Sequence, residues 1–226
     1  EFFDKNEVIL SVVRDEKETL DLTEGENGIF KSGEKKFFLI CSTLSPGFIQ
    51  DLRARAPKNI VMIDAPMSGA SKGAREASLT FMVGSSEEDF EFISPLLEIL
   101  GENIFHIGGF GTGMSIKVLN NFVTSATVAA VRQVLSQAPS LNLKTEKLLE
   151  IMNCSSGQTW FGSNFEKIEW SRKGHSSKNT IGILEKDVEA YQDALKVMRL
   201  DKQNSEFQEF QKATLGVLRK LTDFNS

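Results

Sequence analysis

The segment from Met114 to Gln137 constrains the fold of this chain more than any other feature. Its residues follow a helical pattern, and Pro139 stands just beyond its end, where a helix cannot continue. At about 1.5 Å of rise per residue, such a helix is long enough to cross a whole domain. We therefore predict one long helix that forms the spine of an all-α domain.

Before this helix the sequence alternates between strand and helix patterns. Predicted strands cover Val8–Val13, Phe37–Cys41, Ile60–Ile63, Leu79–Val83 and Ile104–Ile107; helices cover Pro46–Ala56 and Glu87–Leu100, with a short helix or turn over Asp15–Leu22. After it only helices are predicted, over Thr145–Asn153, Trp160–Trp170, Ile181–Val197 and Glu206–Leu221. Such alternation indicates α/β layers with a mostly parallel sheet. The prediction is an α/β domain over 1–111 and an all-α domain over 112–226.

The charge pattern argues against two classes of partner. The 226 residues carry a net charge of −5, and the basic pairs Lys35-Lys36 and Arg172-Lys173 are isolated, so no nucleic-acid-binding patch is expected. No signal peptide is visible, and Asn120, Asn121 and Arg132 interrupt the longest apolar stretch. We therefore expect no membrane span.

The cysteines and histidines are few and scattered. Cys41 and Cys154 lie far apart without metal or redox spacing, so we expect two reduced, buried thiols in an intracellular protein. His106 and His175 are the only histidines, which argues against a histidine-ligated metal centre. No metal site is predicted.

Lys117 and Asn121 form the first candidate site. They follow the glycine-rich run Gly108–Gly113 and stand four residues apart at the beginning of the long helix. Four residues make about one helical turn, so the ammonium and the carboxamide project from the same face. The neighbours of Lys117 are largely apolar, and a lysine that loses solvation is suited to proton transfer near neutral pH. An exposed surface lysine is the alternative interpretation.

The small-residue segment Ser68-Gly69-Ala70 is the second candidate site. It follows the predicted strand Ile60–Ile63 and the sequence Asp64-Ala-Pro. Ligands in open α/β sheets bind beyond the carboxyl ends of strands, where this segment is expected. Small residues let backbone N–H groups approach an anion, and Ser68 adds a hydroxyl donor. An ordinary tight turn would use the same residues.

Two of these segments, Asp64-Ala-Pro-Met-Ser-Gly-Ala70 and Phe110–Asn121, together resemble the β-hydroxyacid dehydrogenase family, which includes 3-hydroxyisobutyrate and tartronate-semialdehyde dehydrogenases. The resemblance implies an α/β then all-α fold: a partial Rossmann-type parallel sheet, followed by a helical domain built on a long interdomain helix. The related 6-phosphogluconate dehydrogenases carry histidine at the position of Asn120, which argues against that group.

The resemblance also implies roles for the candidate residues. Lys117 would be the general acid/base, and Asn121 would hold the lysine and the substrate. Ser68, Gly69 and Ala70 would bind the substrate carboxylate, although alanine stands at 70 where many members have glycine.

The same resemblance implies a nicotinamide cofactor, either NAD or NADP. Val12, Val13 and Thr43 end two predicted strands and would line its nicotinamide side. Lys186 would reach the same end of the cofactor from a later helix, and Asp187 would orient or cap locally. The segment Asn153–Trp160 resembles a passage over the active site, but any helix end would use similar residues.

One part of the family pattern is missing. The family begins with a strand, a Gly-x-Gly-x-x-Gly turn and a helix that holds the pyrophosphate, and this sequence contains no such unit. The run Gly108–Gly113 differs in spacing and leads into the long helix, so we interpret it as a hinge. We expect the chain to be the later part of a longer protein, with little or no turnover by itself.

Two functions remain open on this basis. The first is an NAD(P)-dependent oxidoreductase that interconverts a small 3-hydroxy acid and its semialdehyde or keto form. The second is a truncated, catalytically silent relative that serves as an oligomerisation module; the presence of Lys117 favours the first. The family resemblance implies a small carboxylate substrate and a homodimer or homotetramer. A cytoplasmic or mitochondrial location would depend on residues before Glu1.

Overall fold

The computed structural model describes residues 3–197 and 205–224. The chain divides into two compact units, Glu1–Val118 and Leu119–Ser226. The described strands are β1 (Val8–Ser11), β2 (Lys36–Ile40), β3 (Ile60–Asp64), β4 (Met67–Ser68), β5 (Leu79–Gly84) and β6 (Gly101–Gly108). The described α-helices are α1 (Glu16–Glu24), α2 (Pro46–Arg55), α3 (Ala70–Arg75), α4 (Glu87–Glu98), α5 (Thr112–Gln137), α6 (Thr145–Asn153), α7 (Trp160–Ser163), α8 (Thr180–Val197) and α9 (Ser205–Arg219). Short 3-10 helices cover Phe3–Lys5, Ile29–Lys31 and Ala138–Leu141.

The first unit is built on one mixed sheet with the strand order β1-β2-β3-β5-β4, and β6 also pairs with β5. Strands β1, β2 and β3 are parallel, as are β5 and β6, but β5 is antiparallel to both β3 and β4. The sheet is mostly parallel, as expected, and only the short pairings of β5 with β3 and β4 are antiparallel. The connection from β3 to β5 contains β4 and only the six-residue helix α3, too little for a helical crossover between parallel strands.

Strand β2 forms the centre of this unit because all five of its residues are buried. Successive side chains of a strand point to opposite faces. Accordingly, Phe38 and Ile40 belong to one hydrophobic cluster, and Phe37 and Leu39 belong to another. A run buried on both faces is typical of a parallel strand that is covered by helices, and the strand predicted for this segment is confirmed.

Serine side chains cap two helices of the first unit. The Ser45 hydroxyl accepts a hydrogen bond from the Phe48 amide at 3.4 Å, and Pro46 occupies the first turn of α2. The Ser86 hydroxyl accepts from the Asp89 amide at 3.2 Å at the beginning of α4. A side-chain acceptor at this position satisfies an amide that has no partner inside the helix.

Helix α5 has 26 residues, which confirms the long helix expected from the sequence. It ends at Gln137, and the 3-10 helix that follows contains Pro139 near its start. The boundary between the two compact units falls inside α5, after Val118. The boundary at residue 111 stays a prediction about the domains.

The second unit is helical, and aromatic side chains form much of its described core. The helix predicted over Trp160–Trp170 is wrong beyond Ser163, because α7 ends there and turns follow. These turns let Phe161 stack on Trp170, with ring centroids 5.5 Å apart, and let it meet Phe165 edge to face at 5.5 Å. Aromatic packing in three dimensions has overridden the local helical pattern.

The two cysteines differ in environment. Cys41 is buried, as predicted, and burial raises the pKa of its thiol to about 12. Cys154 is exposed at the end of α6, so the prediction of a buried thiol is wrong there. Cys154 follows the exposed Glu150 by four residues, about one helical turn, so it continues the solvent-facing side of α6. Within residues 3–197 and 205–224, no helix combines the length and the apolar character that a membrane span requires.

Candidate active site

Lys117 and Asn121 lie one turn apart on α5, and both side chains are buried. Lys117 is 6% exposed and Asn121 is 9% exposed, whereas Asn120 between them is exposed. Burial of a lysine requires compensation, so it is much less common than an exposed helix lysine. The interpretation of Lys117 as an ordinary surface residue is therefore wrong, while its role stays a prediction.

The turn before α5 is a close-packed structure. Gly111 has a φ angle of +95°, a backbone conformation that residues other than glycine rarely adopt. Its carbonyl accepts the Ser115 amide as the first hydrogen bond of the helix. A Cβ atom at Gly113 would lie 2.2 Å from the Met82 carbonyl oxygen, so only glycine lets α5 begin this close to β5. The glycine run thus brings the helix that carries Lys117 onto the sheet.

Asp64, which sequence reasoning noted only as a strand end, holds this turn. Its Oδ1 accepts the Gly111 amide and its Oδ2 accepts the Met114 amide, each at 2.6 Å. Burial raises the pKa of the Asp64 carboxyl to about 6, although these two hydrogen bonds and the charge of Arg53 act in the opposite direction. The signal in the sequence was a carboxylate directly after a buried strand, but nothing local identified its partners.

The proposed carboxylate-binding segment begins four residues after Asp64. Ser68 ends β4 and is half-buried, while Gly69 and Ala70 are exposed. Their φ angles are +129° and +53°, and the second is uncommon for a residue with a Cβ atom. The segment is therefore a constrained turn into α3, with its backbone accessible. This geometry is suited to backbone contact with a small anion, and strain of this kind clusters at ligand-binding positions.

The structure places the residues predicted for the nicotinamide side at adjacent strand ends. Strands β1 and β2 are parallel neighbours, so Val12-Val13 and Thr43 follow their carboxyl ends. The Ser42 hydroxyl donates to the Val13 carbonyl at 2.6 Å, and the Val13 amide donates to the same hydroxyl oxygen at 2.9 Å. Val12 is 63% exposed. The arrangement offers an accessible apolar side chain beside a hydroxyl residue, which fits a planar aromatic ring with a polar edge.

In the second unit, Asp187 of α8 orients Asn121. The Asn121 Nδ2 donates to the Asp187 Oδ2 at 2.7 Å, and Asp187 is 2% exposed. This bond fixes which end of the carboxamide is the donor, leaving Oδ1 as an acceptor. Lys186 is partly exposed, and its Nζ lies 3.5 Å from the Asp187 Oδ1. The proposed contact of Lys186 with the cofactor stays a prediction.

The segment Asn153–Trp160 contributes accessible side chains in the second unit. Ser155 and Ser156 are exposed, and Trp160 is 60% exposed. Asn153 donates from Nδ2 to the Gly162 carbonyl at 3.3 Å, so it ties the end of α6 to α7. Within the part of the chain that the structure describes, no group of three or more histidine, cysteine or acidic side chains could hold a metal ion.

Two family models match consecutive parts of the chain. Residues 1–108 match the NAD-binding domain of 6-phosphogluconate dehydrogenase, and residues 111–213 match the NAD-binding model of NADP-dependent 3-hydroxyisobutyrate dehydrogenase. Both models describe nucleotide-binding enzymes, and together they leave only short parts of the chain unmatched.

Relatives with assigned activities agree with these models. The chain is 31% identical over 181 residues to mitochondrial 3-hydroxyisobutyrate dehydrogenase of Mus musculus, a match that covers 79% of this chain and 54% of the relative. It is 38% identical over 120 residues to 2-(hydroxymethyl)glutarate dehydrogenase of Eubacterium barkeri, covering 53% of this chain and 40% of that enzyme. The chain therefore spans about half the length of these relatives.

The fold agrees with a solved structure of the same group. The crystal structure of 3-hydroxyisobutyrate dehydrogenase from Salmonella typhimurium superposes with a TM-score of 0.80 and 19% identity, over 96% of this chain and 74% of that one. At this identity the likeness establishes the fold alone, a Rossmann-like sheet followed by a helical domain. The two family models and the relatives show that the chain belongs to the β-hydroxyacid dehydrogenase family.

Proposed function

We propose that this chain carries the catalytic residues of an NAD(P)-dependent oxidoreductase that interconverts a small 3-hydroxy acid and its semialdehyde or keto form. The burial of Lys117 on α5, one turn before the buried Asn121, is the observation that carries the proposal. A buried ammonium and a buried carboxamide must be compensated by hydrogen bonds or charges, and Asp187 provides one such bond to Asn121. The names of the mouse and Eubacterium barkeri relatives supply the reaction class.

Lys117 acts as the general acid/base in this proposal. In the oxidation direction its neutral Nζ accepts the hydroxyl proton of the substrate while hydride leaves the carbinol carbon, and the electron pair of the O–H bond becomes the new carbonyl bond. A nicotinamide cofactor bound in the site would supply the hydride acceptor. In the reverse direction the ammonium donates the proton to the carbonyl oxygen. Asp187 accepts one of the two amide hydrogens of Asn121, and the Asn121 oxygen accepts the Asn120 side-chain amide at 3.3 Å; in this proposal the same oxygen also accepts a hydrogen bond from the ammonium or the substrate.

The turn Ser68-Gly69-Ala70 holds the substrate carboxylate. Accessible backbone N–H groups and a serine hydroxyl can donate to a carboxylate without bringing a second charge into the site. An anchored carboxylate sets the distance to the reacting carbon, which gives the preference for 3-hydroxy acids. 3-Hydroxyisobutyrate, 2-(hydroxymethyl)glutarate and tartronate semialdehyde all meet this requirement.

The cofactor contacts are proposed for Val12, Val13, Thr43 and Lys186. Val12 and Val13 offer apolar contact to the nicotinamide ring, and Thr43 offers a hydroxyl to its polar edge. The residues present fit the nicotinamide end, and the choice between NAD and NADP is tested by binding.

The test begins with fluorescence titration of the folded protein with NADH and NADPH. Two assays then follow: NAD(P)+ reduction with 3-hydroxyisobutyrate, 2-(hydroxymethyl)glutarate and related hydroxy acids, and NAD(P)H oxidation with tartronate semialdehyde. Lys117→Met is expected to retain cofactor binding and lose about 10²- to 10⁴-fold in kcat, the usual contribution of a general acid/base. Lys58→Met, at an exposed lysine of the same unit, is the matched control and should change neither quantity.

Two outcomes would contradict this proposal. One is the absence of saturable NADH or NADPH binding by the full-length protein, shown by circular dichroism to be folded. The other is hydroxy-acid oxidation that the Lys117→Met substitution leaves unaltered. Either result would direct attention to the second candidate function.

That second candidate is a silent relative that serves as an oligomerisation module. Four apolar side chains of α5 favour it, because they are exposed in the described chain: Ile116, Leu119, Val123 and Val134. Exposed apolar residues along one helix are typical of association surfaces. Sedimentation equilibrium would distinguish the states, and a homodimer or homotetramer that lacks cofactor binding would support this candidate.

A further inference from the structure

Asp64 occupies an unusual place for an acidic residue. It is the last residue of β3 and is fully buried, with no measurable exposure. Both carboxylate oxygens accept backbone amides at 2.6 Å, and both amides belong to the turn and first residues that begin α5. A buried carboxylate is retained only where such bonds compensate for lost solvation.

The bond to Met114 replaces a helix cap that the local sequence lacks. The first amides of an α-helix have no partner inside the helix, and a side chain at the N-cap position usually accepts one of them. Gly111 stands at this position in α5, since its carbonyl accepts the Ser115 amide, and glycine has no side chain to offer. Asp64 accepts the Met114 amide instead, from a strand that lies 47 residues earlier than Gly111.

Two glycines shape the space around this carboxylate. Gly84 is paired with Asp64 across β3 and β5, and a Cβ atom there would lie 2.2 Å from the Asp64 Oδ1. A Cβ atom at Gly113 would lie 3.0 Å from the Asp64 Oδ2. Because Gly84 of β5 and Gly113 of α5 have no side chains, both elements leave space for the Asp64 carboxylate.

Two side chains of α2, Arg53 and Gln50, also interact with Asp64 or with the turn that Asp64 holds. Arg53 attracts the Asp64 carboxylate electrostatically, and its guanidinium lies 4.6 Å from the centre of the Phe110 ring. Gln50 donates from Nε2 to the Phe110 carbonyl at 3.1 Å. The turn is thus held by Asp64 from the sheet and by Gln50 and Arg53 from the helix layer.

We propose that Asp64 is a positioning residue for Lys117: by clamping Gly111 and Met114, it fixes the first turns of α5 relative to β3 and to the Ser68-Gly69-Ala70 segment. Lys117 follows Met114 by three residues, less than one turn, so a displacement at Met114 carries the lysine with it. The carboxylate-binding segment follows Asp64 by four residues. One side chain therefore sets the spacing between the proposed proton-transfer group and the proposed substrate anchor, and this role rests on the proposed function.

The test compares Asp64→Asn with the matched control Asp51→Asn, at an exposed aspartate of α2. Asparagine keeps the shape but can accept only one of the two amides, and its own amide group faces the other. In Asp64→Asn we expect kcat to fall by about 10- to 100-fold with KM changed less than about threefold, because misplacement of a reacting group by about 1 Å has effects of this size. The control should resemble the wild type.

Two further measurements do not require activity. Hydrogen exchange should show the Met114 amide protected in the wild type, despite its place in the first helical turn, and about tenfold less protected in Asp64→Asn, a change equivalent to one capping bond. Reductive methylation followed by mass spectrometry should show Lys117 modified severalfold faster in Asp64→Asn, with Lys58 unchanged. These results would support the clamp even if no substrate of the panel is oxidised, which would count against the proposed function alone.

Three outcomes would overturn the positioning role. The first is an unprotected Met114 amide in the wild type, a measurement that remains decisive if Asp64→Asn does not fold. The second is faster exchange in Asp64→Asn with unchanged kcat and unchanged Lys117 modification, which would make the residue a structural cap only. The third is an equal loss of kcat in Asp51→Asn.

Discussion

Asp64 in the first unit and Arg132 in the second are both buried charges that bond to the backbone, but they have opposite signs and opposite tasks. Asp64 accepts two amides at the beginning of a helix. Arg132 is 3% exposed and donates to the carbonyls of Ser171, Lys173 and Thr222 at 2.6 to 2.8 Å. Each charged side chain therefore bonds to backbone groups that have no partner within a helix or strand. Asp64 accepts amides where α5 begins, and Arg132 donates to carbonyls in the turns after α7 and near the end of the chain.

The difference shows two ways in which a charged side chain can satisfy backbone groups that lie outside helices and strands. In the sheet, strand ends bring a short side chain within reach of a helix start, so a compact carboxylate suffices. In the helical unit, the three carbonyls belong to two separate segments of the chain, and the long side chain of Arg132 lets one guanidinium reach all of them. The expected effects on stability follow from the number of bonds that each charge makes.

The largest effect is expected for Arg132→Met, which keeps the apolar volume and removes all three bonds. One buried and two partly buried carbonyl contacts would lose a charged donor, so the free energy of unfolding should fall by about 3 kcal/mol. Urea unfolding followed by circular dichroism measures the change. Arg14→Met is the control, because its side chain is 88% exposed and solvent screens its ion pair with Glu18. Equal losses in the two variants would show that Arg132 does not join the loops.

The pH dependence of stability should single out Asp64. Its pKa of about 6 in the folded state lies above the ordinary value of 3.8, so the stability it contributes is fully present below pH 3.8 and is lost as pH rises through about 6. The difference amounts to about 3 kcal/mol at most, since one pKa unit corresponds to about 1.4 kcal/mol. We expect the free energy of unfolding of the wild type, relative to Asp64→Asn, to decrease between pH 4 and pH 7. A difference that is constant with pH, or that increases, would contradict this sign.

The smallest effect is expected at the local caps. Ser45→Ala and Ser86→Ala should each lower the free energy of unfolding by about 1 kcal/mol, without a dependence on pH. Differential scanning calorimetry at two pH values would measure both. If these variants reproduced the loss of kcat expected for Asp64→Asn, general destabilisation would replace positioning as the explanation of that loss.

The elements that could be predicted from the sequence are those with a clear local pattern of apolar residues. Strand β2 is buried on both faces and α5 is uninterrupted, so each has a pattern that no other element type fits. The burial of Lys117 followed from its apolar neighbours for the same reason. Strand β5 was predicted over Leu79–Val83, but β4 and the antiparallel direction of β5 were missed because Met67–Ser68 is too short to show a pattern.

Features that depend on distant partners were beyond this kind of reasoning. The Asp64 carboxylate is bonded to amides of Gly111 and Met114, and no sequence period relates residues so far apart. The Asn121–Asp187 bond joins two helices in the same way. The end of α7 at Ser163 likewise depends on where Phe161 and Trp170 meet.

Because one thiol is exposed and the other is buried, the rates of thiol labelling can report on the opening of this fold. A maleimide fluorophore added to the native protein would label the exposed Cys154 at one defined position at the end of α6. Cys41, enclosed in the sheet, would react only in molecules that open the first unit. The rate of the second labelling event would therefore time the opening of the α/β unit, while the dye already in place would report on the helical unit from within the same molecule.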